Sequence, residues 1–322
     1  MNDSLRKRRI LDVPTAGIIF VVLILLCATL YIINPNFLSA YNISTLSRSL
    51  SFTTIVAFGQ TLVLLTGGID LSVAGVAGMS GILSALLMVE GHVEPWLAIT
   101  MILALAFLCG GINGLLVTKM KMVPFVVTLA TGSVFTGIVY VVTKGSPIMG
   151  IPEKAIKLGQ GMLFGVIPYP VIAMLILALL LMYMLKFTPF GRYIYAVGGN
   201  SNAARIAGVK VDKVTILVYS LSSMMAAIAG ILITCRLGTA QPSVGASWVM
   251  PSVTAACIGG TSLSGGRGSI LGAVVGGVFM GVIANAVVIL RISTYAEQII
   301  TGIVILAAIA IDRIKAMHSR NA

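Results

Sequence analysis

The sequence predicts an all-α polytopic membrane protein of about ten transmembrane helices, and three observations carry that expectation. Of its 322 residues, 58% are apolar and only 9% are Asp, Glu, Lys or Arg, against about 25% charged in an ordinary soluble domain. The apolar residues come in blocks close to the roughly 20 residues that a helix needs to cross the hydrocarbon core. The basic residues fall between those blocks and favour one side. A soluble globular protein is excluded, because so few charges cannot furnish a water-facing surface for a chain of this length.

In chain order the blocks are Thr15–Ile33, Leu50–Thr66, Leu71–Val89, Pro95–Thr118, Val123–Thr143, Ile167–Leu185, Val214–Cys235, Trp248–Ser264, Ser269–Leu290 and Tyr295–Ile311. The first follows Arg6, Lys7, Arg8 and Arg9 as a signal peptide would, but its apolar core is too long for one. The run at Leu25–Ala28 lacks the small residue that precedes a lipoprotein cysteine, so this block reads as an uncleaved span. The eighth block is the weakest, interrupted by Pro251 and by several Ser and Thr. Two longer polar segments stand between blocks: Lys186–Lys213, and Lys144–Val166 with a short amphipathic piece at Glu153–Leu158. With no Pro-rich or Ser-rich linker, residues 1–322 are expected to form one membrane domain.

If the amino terminus is cytoplasmic, so are the four early basic residues, Lys119, Lys121, Lys186, Arg192, Arg205, Lys210, Lys213, Arg267, Arg313, Lys315 and Arg320. Only Arg48, Lys144, Lys154, Lys157, Arg236 and Arg291 remain outside, so the positive-inside bias places both termini in the cytoplasm. Topology thereby explains the net charge of +12, and nucleic acid is not an expected partner. Cys27, Cys109, Cys235 and Cys257 lie in or at the ends of apolar blocks without paired spacing, and His92 and His318 lie in different loops. Neither a disulfide framework, a metal site nor a cofactor is indicated.

The motif Gly67-Gly68-Ile69-Asp70-Leu71-Ser72 reappears as Gly259-Gly260-Thr261-Ser262-Leu263-Ser264, each copy between two apolar blocks. Such glycine pairs suit either a tight helical hairpin or a broken helix whose backbone lines a solute path. Asp70 is the one acidic residue in the stretch Ser49–Val89. It has two readings: a cap on a helix beginning at Leu71, which is preferred, or a charge on the path. Gln60, Asn113, Asn285 and Gln298 are polar residues inside blocks, suited to interhelical hydrogen bonds or to contact with a polar solute.

Within Lys186–Lys213, the run Ser201–Val209 reads as a short helix capped by Asn200 or Ser201 and stopped at Gly208. Ala203, Ala204 and Ala207 give it a small-residue face that suits docking on a protein better than lying on lipid. No P-loop pattern and no Gly-Lys dipeptide occurs, so any nucleotide hydrolysis that drives this chain belongs to another subunit.

GGIDLSV at 67–73, FGRYIYAVGGN at 190–200, AARIAGV at 203–209, RLGTAQP at 236–242 and GGTSLSGGRGSILG at 259–272 together resemble the permease subunits of bacterial ABC importers for ribose and related simple sugars. The resemblance covers essentially the whole chain. It implies a permease domain of the inner membrane that pairs with a second permease, identical or homologous. It also implies ATP-binding subunits docked inside and a periplasmic sugar-binding protein docked outside. The Asn200–Gly208 helix would then be the coupling helix, using Asn200, Ser201, Ala203, Ala204, Arg205 and Gly208. Gly67, Gly68, Asp70, Ser72, Gln60, Asn113, Asn285, Gly259 and Gly260 would line or gate the path, and Arg48, Arg236 and Gln241 would meet the binding protein. Where relatives carry a stretch like ELDAIAA, this chain has Val249-Met250-Pro251-Ser252-Val253-Thr254-Ala255, which leaves room for a heterodimer. The competing expectation is an ion-coupled secondary carrier, for which ten spans and Asp70 would suffice. No catalytic constellation suggests an enzyme.

Overall fold

A computed structural model describes residues 15–290 together with Ile299, Gly302, Ile303 and Leu306. The tenth block, Arg291, Gln298 and the basic residues near both termini lie outside the described residues, the four named positions excepted. Each of the first nine blocks contains a helix. These are α1 (Thr15–Ile33), α2 (Ala40–Leu65), α3 (Val73–Val89), α4 (Pro95–Lys119), α5 (Pro124–Thr143), α7 (Tyr169–Phe187), α10 (Val211–Leu237), α11 (Val249–Ile258) and α12 (Ile270–Ile289). The loops add α6 (Glu153–Gln160), α8 (Pro189–Gly199) and α9 (Ser201–Ile206), and a two-residue hairpin pairs Met162–Leu163 with Ile167–Pro168.

Among the described residues, six helices are long and apolar enough to cross a membrane: α2, α4, α5, α7, α10 and α12. The expected second span is corrected at its start, because α2 begins at Ala40, ten residues before Leu50. The Ser39 hydroxyl accepts from the Asn42 N–H at 3.2 Å and opens the helix across a polar stretch that hydropathy alone passes over. The eighth is corrected in length. Instead of filling 248–264, α11 stops after ten residues at Gly259, whose backbone is pressed against the carbonyl of Gly272.

Burial sorts the helices into two layers. In its most apolar window α2 is 83% buried and α10 67%, whereas α4, α5 and α7 fall between 28% and 33%. The outer helices therefore present Leu, Val and Phe to a surface that lipid would cover. α10 packs against α2, α3 and α4 through small residues. A Cβ on Gly110 would overlap the Tyr219 carbonyl, one on Gly114 would meet Ile216, and one on Gly230 would overlap Ala77. Without water to drive apolar faces together, such close backbone approach is how membrane helices gain contact. A smaller cluster of Leu23, Leu30, Phe37 and Val282 fastens α1 to α12.

Candidate functional site

The turn from α2 to α3 is the most polar part of the interior. Val63 and Leu64 end α2 by accepting from Gly68 and Gly67, and Gly67 adopts φ +80°, a left-handed stop that favours glycine. Asp70 then lies fully buried, with Oδ1 accepting from the Ser72 N–H (3.0 Å) and hydroxyl (2.6 Å) and Oδ2 accepting from the Ser222 hydroxyl of α10 (2.8 Å). Asn113 of α4 donates to Ser72 Oγ at 2.9 Å, and Gln60 of α2 donates to the Asp70 carbonyl. Thr128 of α5 accepts from the Leu71 N–H at 3.0 Å. Four helices, α2, α4, α5 and α10, are thus tied to the Asp70–Ser72 turn, α10 alone of them through the carboxylate itself. The expected cap is corrected in detail: α3 starts at Val73 rather than Leu71, and Asp70, three residues ahead of it, holds the turn through Ser72.

Gln60, Asp70, Ser72 and Asn113, picked out singly in the sequence, are therefore one network. All four are buried at 0% exposure. The carbonyl oxygens of Gln60 and Asn113 have no hydrogen-bond donor among the described residues. Ser222, Thr128 and Tyr219, whose hydroxyl donates to the Ile69 carbonyl at 3.3 Å, complete the network and were not anticipated. The signal available was a run of Ser and Thr inside apolar blocks, which also occurs where such residues merely bond their own helix.

The second copy of the motif lies against the first. The Gly266 N–H donates to the Leu65 carbonyl at 2.9 Å. A Cβ on Gly265 would stand 2.8 Å from the Gly198 carbonyl and 3.0 Å from the Gly67 nitrogen. Gly198, at the end of α8, has no room for a side chain beside the Leu65 carbonyl. Tyr195 of α8 donates to the Gly268 carbonyl at 3.0 Å, and burial pushes its phenol above the ordinary range, so it stays a donor. α8 is thereby seated on both glycine turns.

Directly after α8 comes α9, capped as expected by Asn200, whose side chain accepts from the Ala203 N–H at 3.0 Å. Gly208 ends it at φ +85°. Arg205 pairs with Asp212 at 2.9 Å, and Lys119 of α4 pairs with the same carboxylate at 2.8 Å, fixing α9 to the ends of α10 and α4. Between α9 and the first glycine turn runs a cleft of about 240 Å³ lined by Gly67, Gly68, Ser201, Arg205 and Tyr219. One feature of the expected docking face differs: Ala204 is only 5% exposed, because it packs into the chain's own core. The outward face instead holds Ser201, Asn202, Ala203 and Ile206, the last 89% exposed.

The opposite end of the bundle gathers Arg48 and Arg236. Arg48 donates to the Gln160 carbonyl at 3.0 Å, Gln160 donates to the Arg236 carbonyl at 2.9 Å, and Arg236 donates to Ser49 Oγ at 3.1 Å. The Arg236 guanidinium also lies 5.8 Å from the Phe52 ring centroid. Neither arginine has a carboxylate partner among the described residues. Gln241 is exposed in the loop that follows, just after the bridge between Ile148 and Ala240. Asn285 lies apart from the Asp70 network, paired with Asn42 near this same end. Gly259 is spent on packing against α12, and Gly260 takes the left-handed turn at φ +92°.

The family model described as "Branched-chain amino acid transport system / permease component" matches residues 42–309. Ribose import permease protein RbsC of Bacillus subtilis (strain 168) is 43% identical over 92% of this chain and 92% of its own length. RbsC of Escherichia coli (strain K12) is 37% identical over 92% of each chain, and the D-allose transport system permease protein AlsC of the same strain is 36% identical over 92% of this chain and 90% of its own. No solved structure matches.

Proposed function

The chain belongs to this family of transport-system permease components, and from that membership we propose that it is the membrane subunit of an ABC importer for a simple sugar, ribose or a close relative. The observation that carries the reading is end-to-end similarity to permeases named for ribose and allose import, with no large segment of either chain left over. The solute is delivered outside by a binding protein and moved by ATP hydrolysis in separate subunits inside. The chain works as a single permease domain, crosses the inner membrane about ten times with both termini in the cytoplasm, and pairs with a second permease.

On this reading the end bearing α9 faces the cytoplasm, consistent with Lys119, Arg205, Lys210 and Lys213 clustering there. Residues 186–213 form the coupling loop, with Asn200, Ser201, Ala203, Arg205 and Ile206 offered to the ATPase and Gly208 shaping the exit. Ala204 supports the helix from behind. The seat of α8 on Gly265, Gly266 and Leu65 gives a movement of α9 a rigid route to both glycine turns. The Asp70 network, with Gly67, Gly68, Ser72, Gln60 and Asn113, gates the path by holding α2, α3, α4 and α10 in register, and Gly259 and Gly260 end the shorter α11 beside it. Arg48, Arg236 and Gln241 meet the binding protein, whose acidic rim would complement two arginines without carboxylate partners. An ion-coupled carrier is disfavoured because the carboxylate it would use is already engaged by two serine side chains.

Co-expression with candidate ATP-binding subunits tests the reading. A stable complex is expected, and Ile206→Asp should weaken it. Cysteine labelling from outside at position 205, or its absence at position 154, would overturn the orientation.

A further inference from the structure

At the Arg236 end, α2, α11 and α12 line an open cavity of about 470 Å³, within the roughly 300–1,000 Å³ usual for small-molecule sites. No charged side chain among the described residues lines it, and Arg236 stands at its rim. The groups that matter are the hydroxyls of Tyr41, Thr53 and Ser247, the amides of Asn42 and Asn285, and the Trp248 ring. The three hydroxyls make no hydrogen bond within the described structure.

The amides keep capacity in reserve. Asn42 Nδ2 donates to the Phe37 carbonyl (2.8 Å) and to Asn285 Oδ1 (3.0 Å), and Asn285 Nδ2 donates back to Asn42 Oδ1 (2.9 Å). A side-chain amide offers two N–H groups and two lone pairs. Asn285 therefore retains one of each and Asn42 one lone pair, while their mutual bonds hold both in place. Trp248 is likewise fixed, stacked on Phe52 with centroids 6.3 Å apart and rings 13° from parallel. The rim is tied to the arginine cluster, since Ser49 lines the cavity and accepts from Arg236.

Amides held in place with free valences, hydroxyls free to turn toward a solute and a flat aromatic surface form a combination with a definite complement. A ring bearing several hydroxyls can trade each water hydrogen bond for one to the wall while its C–H face covers the indole. We propose that this cavity is a binding station for a polyhydroxylated ring of monosaccharide size. The inference rests on the importer reading and adds the place and chemistry of recognition.

The test uses the complete importer in proteoliposomes with D-ribose, or with whichever of D-allose, L-arabinose and D-fructose it takes up. Trp248→Ala should lower uptake about tenfold, and Thr53→Val, which removes one hydroxyl at nearly constant shape, by about two- to tenfold. ATP hydrolysis stimulated by the binding protein should persist in both, showing intact assembly. Wild-type uptake in assembled Thr53→Val and Trp248→Ala proteins would overturn the proposal. Should Trp248→Ala fail to assemble, wild-type uptake by Thr53→Val overturns it alone. A wild-type importer that moves none of these sugars would instead contradict the importer reading. The cavity is then tested directly in the Trp96→Phe protein, where Trp248 is the sole tryptophan. A saturable change in its emission with D-ribose supports the station, and an unchanged emission up to the solubility limit of the sugar overturns it.

Discussion

The two GGxxLS turns share their letters but not their surroundings. In both, the fourth side chain accepts from the sixth N–H: Asp70 from Ser72 at 3.0 Å, and Ser262 from Ser264 at 3.2 Å. The left-handed glycine, however, is the first of the pair in one (Gly67) and the second in the other (Gly260). Asp70 is fully buried and binds a second helix through Ser222, whereas Ser262 is half-buried and Ser264 exposed. The repeated pattern specifies a local turn. What each turn does is set by the helices brought against it, so one acts as an interior lock and the other as a seat for the loop that carries α9.

The contrast is broken most severely at Asp70. Asp70→Ala leaves Ser72, Ser222 and their neighbours buried without partners, at a cost of about 3 kcal/mol or more. Thermal unfolding of the purified protein should show a large loss, or no folded protein at all. Asp70→Asn keeps the oxygen that receives the Ser72 N–H and should retain fold and most uptake. Abolished uptake in a folded Asp70→Asn protein would make the negative charge itself essential.

A smaller effect is expected where the turns touch. Gly198→Ala forces a methyl against the Leu65 carbonyl, a misfit of about 1–3 kcal/mol. The protein should insert normally but couple hydrolysis to uptake poorly, as measured by sugar moved per ATP. Ile206→Asp acts further out, weakening ATPase association by about fivefold or more in a binding titration while leaving unfolding temperature unchanged. The least effect belongs to Ser262→Ala, about 0.5–1 kcal/mol, because its one turn hydrogen bond can be replaced by water. A loss at Ser262 equal to that at Asp70 would erase the distinction between the turns.

Much of this was legible in the sequence. Block length and hydropathy located nine helices, Asn200 and Gly208 bounded α9, and Gln60, Asp70 and Asn113 stood out as polar residues in apolar surroundings. Hydropathy could not place the start of α2, since Asn42, Ser44, Ser47 and Arg48 lower it although the backbone remains helical. Nor could spacing reveal that Ala204 faces inward while Ile206 faces outward, because a six-residue helix is too short to display its own periodicity. The partnership of Asp70 with Ser222 joins residues 152 positions apart, and only tertiary packing decides it. The same holds for the cavity, whose wall joins the first turns of α2 and α11 to the last turns of α12.

The central claim is that this chain passes a sugar only as part of an ATP-driven assembly. It is tested most directly by radiolabelled sugar uptake into vesicles containing the chain alone, or the chain with its ATP-binding subunits and binding protein. Accumulation is expected only in the complete system with ATP supplied to the ATPase face, and it should be insensitive to collapse of proton and sodium gradients. Accumulation by the chain alone under an imposed ion gradient would contradict the claim.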